Sequence, residues 1–81
     1  MDTSAGSAIE RCLRERFPEA AIAVTSGDGV HFRVDVVDAA FGPLTPVARH
    51  RLVHQLLAPL LSSGLVHAVE IRPRPPAEAP P

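Results

Sequence analysis

The chain has 81 residues, 46% of them hydrophobic, with eight arginines, no lysine, nine acidic residues and a formal net charge of −1. That length fits one small domain, which buries only about 60% of the surface its unfolded chain exposes, and that charge argues against a strongly basic nucleic-acid clamp. The single cysteine excludes an internal disulfide and any zinc site that draws two thiolates from one chain.

No apolar run approaches the roughly 20 residues of a membrane span. The polar, acidic start Met1–Ser7 is unlike a signal peptide. The expectation is a soluble, cytoplasmic domain with no membrane association.

Ser7-Ala8-Ile9-Glu10 reads as a capping box that opens the first helix, with Ser7 as N-cap. Ile9, Cys12, Leu13 and Phe17 follow at helical spacing, which puts Cys12 on the apolar stripe as a small buried hydrophobe. Pro18 stops the helix, because the residue before a proline is pushed out of the α region. Ala20–Thr25 reads as a short strand and Ser26-Gly27-Asp28-Gly29 as a hairpin turn. Val30–Val37 alternates, with Val30, Phe32, Val34 and Val36 toward a core and His31, Arg33, Asp35 and Val37 on the wetter face.

After Phe41-Gly42-Pro43, Thr45 is a good N-cap and Pro46 suits the first helical position. Val53, Leu56, Leu57 and Leu60 form the apolar stripe, Pro59 predicts a kink or break, and Gly64 ends the run. Val66–Ile71 reads as a last strand, parallel to the second through a right-handed crossover. Arg72–Pro81 holds five prolines in ten residues and reads as a polyproline-like or disordered tail. The expected organisation is a flexible 1–6, a domain over 7–72 and a proline-rich 73–81. The fold class is α+β, α-β-β-α(-α)-β, a three-stranded mixed sheet with helices on one face.

Catalytic motifs are lacking: there is no P-loop, GxSxG, HExxH or dinucleotide fingerprint. Asp28, Asp35, Asp38 and Glu70 have no spacing suited to paired acid–base work, so an enzyme is not expected. His50 and His54, four residues apart, would share a helix face, but a two-His metal site needs further ligands; a solvated face is the plainer reading. Arg49-His50-Arg51 occupies the first turns of its helix, where the macrodipole disfavours cations by about 0.3–1 kcal/mol each. Acids of the fold, an acidic partner or a bound anion such as phosphate would each account for it. His67, opening the last strand, is read as either a packed histidine or a ligand.

Taken together, these segments resemble the BolA-like family. Gly27-Asp28-Gly29-Val30-His31-Phe32 with Val34 and Val36 is similar to that family's turn and second strand. Phe41-Gly42 with Val47-Ala48-Arg49-His50-Arg51-Leu52-Val53 is similar to its Phe-x-Gly…Arg-His-Arg signature, short of the residue between Phe and Gly. Val66-His67-Ala68-Val69 resembles its final-strand His-Ala motif, and the likeness covers about residues 8–72.

The resemblance implies an αββααβ fold related to the class II KH arrangement. It also implies a non-enzymatic protein that pairs with a monothiol glutaredoxin and shares with it, and its glutathione, a [2Fe–2S] cluster that the isolated chain does not bind. The corresponding role is cluster binding, transfer or iron regulation, with His67 at the family's iron-ligand position. The histidine or cysteine that many members carry in a longer first loop is missing from Ser26–Gly29; His31, at the loop exit, is the nearest substitute. Pro76-Ala77-Glu78 resembles a family Pro-x-Glu segment without its following aromatic residue.

The alternative implied by the resemblance is a DNA-binding transcriptional regulator. Arg49, His50, Arg51 and Arg33 would be its nucleic-acid or partner contacts. The net charge of −1 and the lack of a Gly-x-x-Gly loop (Gly42-Pro43-Leu44-Thr45 has only one glycine) count against it. A third reading makes the proline-rich tail a docking segment for a partner groove. The oligomeric state is left open, a homodimer in isolation among the choices.

Overall fold

The computed structural model describes residues 4–78. Helix α1 (Ala5–Arg16) starts earlier than the capping box suggests. Ser4, not Ser7, is the N-cap, and its Oγ accepts from the Ser7 N–H at 3.2 Å. Glu10 is turned to Arg14 instead, 3.4 Å away. The extra turn brings Ala5 onto the core and lays Gly6 close to Phe32 and Val24, which a Cβ there would meet at 3.7 Å. The helix ends at Phe17, whose N–H donates to the Leu13 carbonyl at 2.8 Å, one residue before Pro18.

Strands β1 (Ala21–Thr25) and β2 (His31–Val37) pair antiparallel, Thr25 opposite Arg33 and Ala21 opposite Val37. Phe32, Val34 and Val36 are buried as the alternation requires. Val30, expected on the core side, is 44% exposed; it belongs to the turn, where its N–H donates to Asp28 Oδ1 at 2.9 Å.

A 3-10 turn (Ala39–Phe41) then leads into helix α2 (Pro46–Ser62), capped by Thr45. Of the kink or break expected at Pro59, the break does not occur, and α2 runs through it as one helix. Pro59 removes one N–H near the helix end, while Leu60 and Leu61 beyond it still pack on the core. Gly64, at φ +82°, reverses the chain as expected of a helix-terminating glycine.

Strand β3 (Ala68–Arg74) lies parallel to β2, giving a mixed sheet of order β1-β2-β3. Both helices cover one face of it, and α1, α2 and the sheet share a single core built on Ile9, Leu13, Phe17, Val34, Phe41, Val53 and Leu57. The other face carries Arg33, Asp35, Glu70 and Arg72. The expected boundaries 7–72 are exceeded at both ends. Ala5 and Gly6 are helical, β3 runs through Pro73 to Arg74, and a 3-10 turn (Pro76–Glu78) follows. Pro73 is tolerated because β3 is an edge strand. The rest of the expected flexible ends, 1–3 and 79–81, lies outside the described residues. Among those residues, no helix is long and apolar enough to cross a membrane.

Leu57 is 1% exposed at the centre of α2 and Leu65 is 45% exposed beyond its end. Leu57→Ala is expected to cost about 2–5 kcal/mol in urea unfolding. Leu65→Ala should stay within about 0.5 kcal/mol of the parent.

Candidate functional site

The parallel pairing brings the first hairpin loop and the start of β3 to one end of the sheet. His31, the first residue of β2, has Ala68 as its Cα partner, so His67 is the neighbouring residue just ahead of β3. Both histidines are exposed. Beside them is an open concavity of about 540 Å³ lined by Thr25, Ser26, His31, Arg33, Ala68 and Glu70 among others. His31 lines it and His67 lies just outside.

The loop that carries His31 is fastened by its own side chains. Asp28 Oδ1 accepts from the backbone N–H groups of Val30 at 2.9 Å and His31 at 2.8 Å, and from Ser26 Oγ at 3.3 Å. Ser26 Oγ in turn accepts from the Gly29 N–H at 2.8 Å. Gly29 sits at φ +75°, a conformation that favours glycine. Asp28 Oδ2 is 2.7 Å from His31 Nδ1. The hydrogen bond from the His31 ring, then those from the His31 and Val30 N–H groups, hold the Asp28 carboxyl well below the usual carboxylate range. The sequence marks Asp28 as a turn residue and as one of four carboxylates without acid–base spacing; the signal for this contact is its position three residues before a histidine.

The Arg-His-Arg segment divides. Arg49 is 8% exposed and is not available to nucleic acid or a partner as expected. Its Nε donates to the carbonyls of Phe41 at 2.8 Å and Leu44 at 2.9 Å, and Nη1 and Nη2 donate to the two carboxylate oxygens of Glu78 at 2.9 and 3.1 Å. An acid of the fold thus compensates the cation in the first turns of α2, and the proline-rich segment up to Glu78 is tied down rather than loose. Pro75, buried beside Gly42, completes that seat.

His50, Arg51 and His54 are exposed and share a shallow concavity with Gln55, the two histidine rings stacked at 6.3 Å between centroids. Arg33 lies on the outer sheet face and pairs with Asp35 at 3.3 Å. The structure therefore brings His31, Arg33 and the approach to His67 to one concavity, groups His50 with Arg51 and His54, and leaves Arg49 in neither group.

Cys12 does not join any of these groups. Its Sγ donates to the Leu56 carbonyl at 3.0 Å, and burial, aided by Glu15, pushes the thiol pKa up. Among the described residues no group of three or more His, Cys, Asp or Glu side chains is placed to hold a metal ion.

A protein-family model described as "BolA-like protein" matches residues 9–78. The chain belongs to the BolA-like family. BolA-like protein 1 of Homo sapiens is 52% identical over 56 residues, covering 69% of this chain and 40% of that protein. A Vibrio cholerae relative named "DNA-binding transcriptional regulator BolA" is 50% identical over 48 residues, 59% of this chain and 44% of that protein. The alignment with the human relative thus spans about 40% of that protein's length. Among solved structures, BolA1 from Arabidopsis thaliana superposes with a TM-score of 0.84 at 28% identity, covering 98% of this chain and all of that one. The BolA-like match reaches Glu78, the residue that pairs with Arg49.

Arg49→Ala is expected to remove the guanidinium from the Leu44 carbonyl and from the Phe41 carbonyl, which keeps only the Leu44 N–H at 3.2 Å, and to cost about 1–3 kcal/mol of stability. The same clasp carries a pH dependence. The Arg49 guanidinium holds the Glu78 carboxyl below the ordinary glutamate value of 4.5. Its contribution is therefore fully present above that value and is lost as pH falls through the lowered pKa. Thermal unfolding across the acid range should show this loss in the parent, and Glu78→Gln should flatten it.

Proposed function

We propose that this BolA-like protein is a non-enzymatic partner of a monothiol glutaredoxin, sharing with it a [2Fe–2S] cluster in cluster binding, transfer or iron regulation. The observation that carries the reading is the exposed pair of histidines at one end of the sheet, His31 opposite the residue that follows His67, beside an open concavity. The donor set fits a shared cluster better than a resident one. Two imidazoles suit one iron, as in Rieske ligation, which raises the potential. The only thiol is hydrogen-bonded and held protonated, so thiolate ligands would come from the partner. His67 and His31 would hold the iron on this side, and glutathione would arrive with the glutaredoxin. A cytoplasmic location goes with this role.

A second reading, DNA binding, is supported by the name of the Vibrio cholerae relative and by the exposed Arg51 beside His50. It is weakened by the commitment of Arg49 to Glu78. If Arg51 contacts phosphate, Arg51→Ala should reduce the salt slope of DNA binding by about one unit.

The cluster reading is tested in a mixture with a monothiol glutaredoxin and reconstituted [2Fe–2S] cluster. His67→Ala is expected to change the visible absorption and circular dichroism of the heterodimer, with the backbone amide spectrum of the free variant intact. His50→Ala and His54→Ala should leave the cluster spectrum unchanged. A folded His67→Ala protein whose cluster spectrum matches the parent would falsify the reading.

A further inference from the structure

We propose that Asp28 is the positioning residue of this site: it fixes the proton of the His31 imidazole on Nδ1 and so presents Nε2, with its lone pair, as the ligating nitrogen. This rests on the reading of His31 as a cluster ligand, and it names the device that makes an ordinary surface histidine serve in a loop too short to carry its own ligand.

The geometry gives the proton no other place. Asp28 Oδ1 is occupied by the Val30 and His31 N–H groups and Ser26 Oγ, so the carboxylate is pinned to the turn by backbone. Oδ2 faces His31 Nδ1 at 2.7 Å. An ionised carboxylate only accepts hydrogen bonds, so Nδ1 must donate. Neutral imidazole in water ordinarily carries its proton on Nε2. The His31 side chain is 73% exposed, so without Asp28 it would follow that preference. Metal-bound histidines commonly donate their second N–H to a carboxylate, which fixes the tautomer and ring orientation and raises the basicity of the ligating nitrogen. Here the carboxylate comes three residues before the histidine, inside the Ser26–Gly29 turn, and is oriented by the same backbone that starts β2.

The tautomer can be read in the free, full chain, with no cluster and no partner. Nitrogen-15 imidazole spectra recorded at alkaline pH should show His31 with a protonated Nδ1 and an unprotonated Nε2. Asp28→Asn keeps a carbonyl oxygen for the backbone N–H groups but turns an amide N–H toward Nδ1. The variant should therefore reverse the His31 pattern and leave His50, His54 and His67 as in the parent. A parent His31 protonated on Nε2, or an Asp28→Asn variant with the parent tautomer, overturns the proposal; the first measurement needs no variant to fold.

In the reconstituted heterodimer, Asp28→Asn should shift the visible circular dichroism in the same direction as His31→Ala. A changed spectrum for His31→Ala with a parent-like one for Asp28→Asn overturns the positioning role alone. A parent-like spectrum for His31→Ala overturns the ligand reading beneath it.

Discussion

The parallel pairing of β2 with β3 is the constraint on which the rest depends. Parallel neighbours cannot be joined by a tight turn, so α2 has to cross over between them, and the crossover lays it on one face of the sheet. That single choice makes the core one-sided and leaves the opposite face to Arg33, Asp35, Glu70 and Arg72. It also brings the start of β2 and the start of β3 to the same end, which is why His31 and His67, 36 positions apart in the sequence, come to the same end of the sheet, His67 just ahead of the Ala68 that pairs with His31. An antiparallel β3 would have put His67 at the far end from His31.

Arg49 secures the crossover at its entry. The guanidinium serves three backbone and side-chain partners at once: the Phe41 and Leu44 carbonyls that precede α2, and the Glu78 carboxylate that follows β3. Lysine, with a compact ammonium, could not form the paired contact to both Glu78 oxygens while also reaching the carbonyls. The bidentate geometry makes this pair worth more than the exposed Arg72–Glu70 pair at 2.8 Å, whose partners are 48% and 59% exposed and contribute little beyond solubility. A buried cation near a helix N-terminus is electrostatically awkward on its own. It is tolerated because Glu78 neutralises it and the carbonyls solvate it.

Elements governed by local rules were legible in the sequence: the stop at Pro18, the alternation of Phe32, Val34 and Val36, the Thr45-Pro46 start of α2 and the Gly64 reversal. The mixed sheet followed from the length of the crossover. What escaped depended on competition or on distance along the chain. Ser4 and Ser7 are both competent caps, and only the packing of Ala5 and Gly6 against the sheet favours the earlier one. Pro59 signals a break by its missing N–H, but the apolar residues on either side of it outweigh one hydrogen bond. Arg49 and Glu78 are 29 residues apart, and nothing local in the sequence connects them. The resemblance pointed to His31 and His67 by position along the chain, whereas the contact between Asp28 and His31 depends on the orientation of a carboxylate within its turn, which the sequence pattern does not fix.

The two surfaces that the sequence singled out are physically independent. His31 and the approach to His67 sit at an end of the sheet, where the backbone is held by the Asp28 network and by β2–β3 pairing. His50, Arg51 and His54 project from the solvent side of α2, whose other side carries Val53 and Leu57 into the core. Arg49, between them in sequence, belongs to neither surface and is spent on the fold. The Arg-His-Arg signature is therefore not one functional unit: its first arginine is a structural fastener, and only the second arginine and the histidine face solvent. Substituting Arg49 disturbs every surface through stability, whereas substituting His50 or Arg51 probes the α2 face alone, so any experiment that mutates the whole signature together confounds recognition with folding.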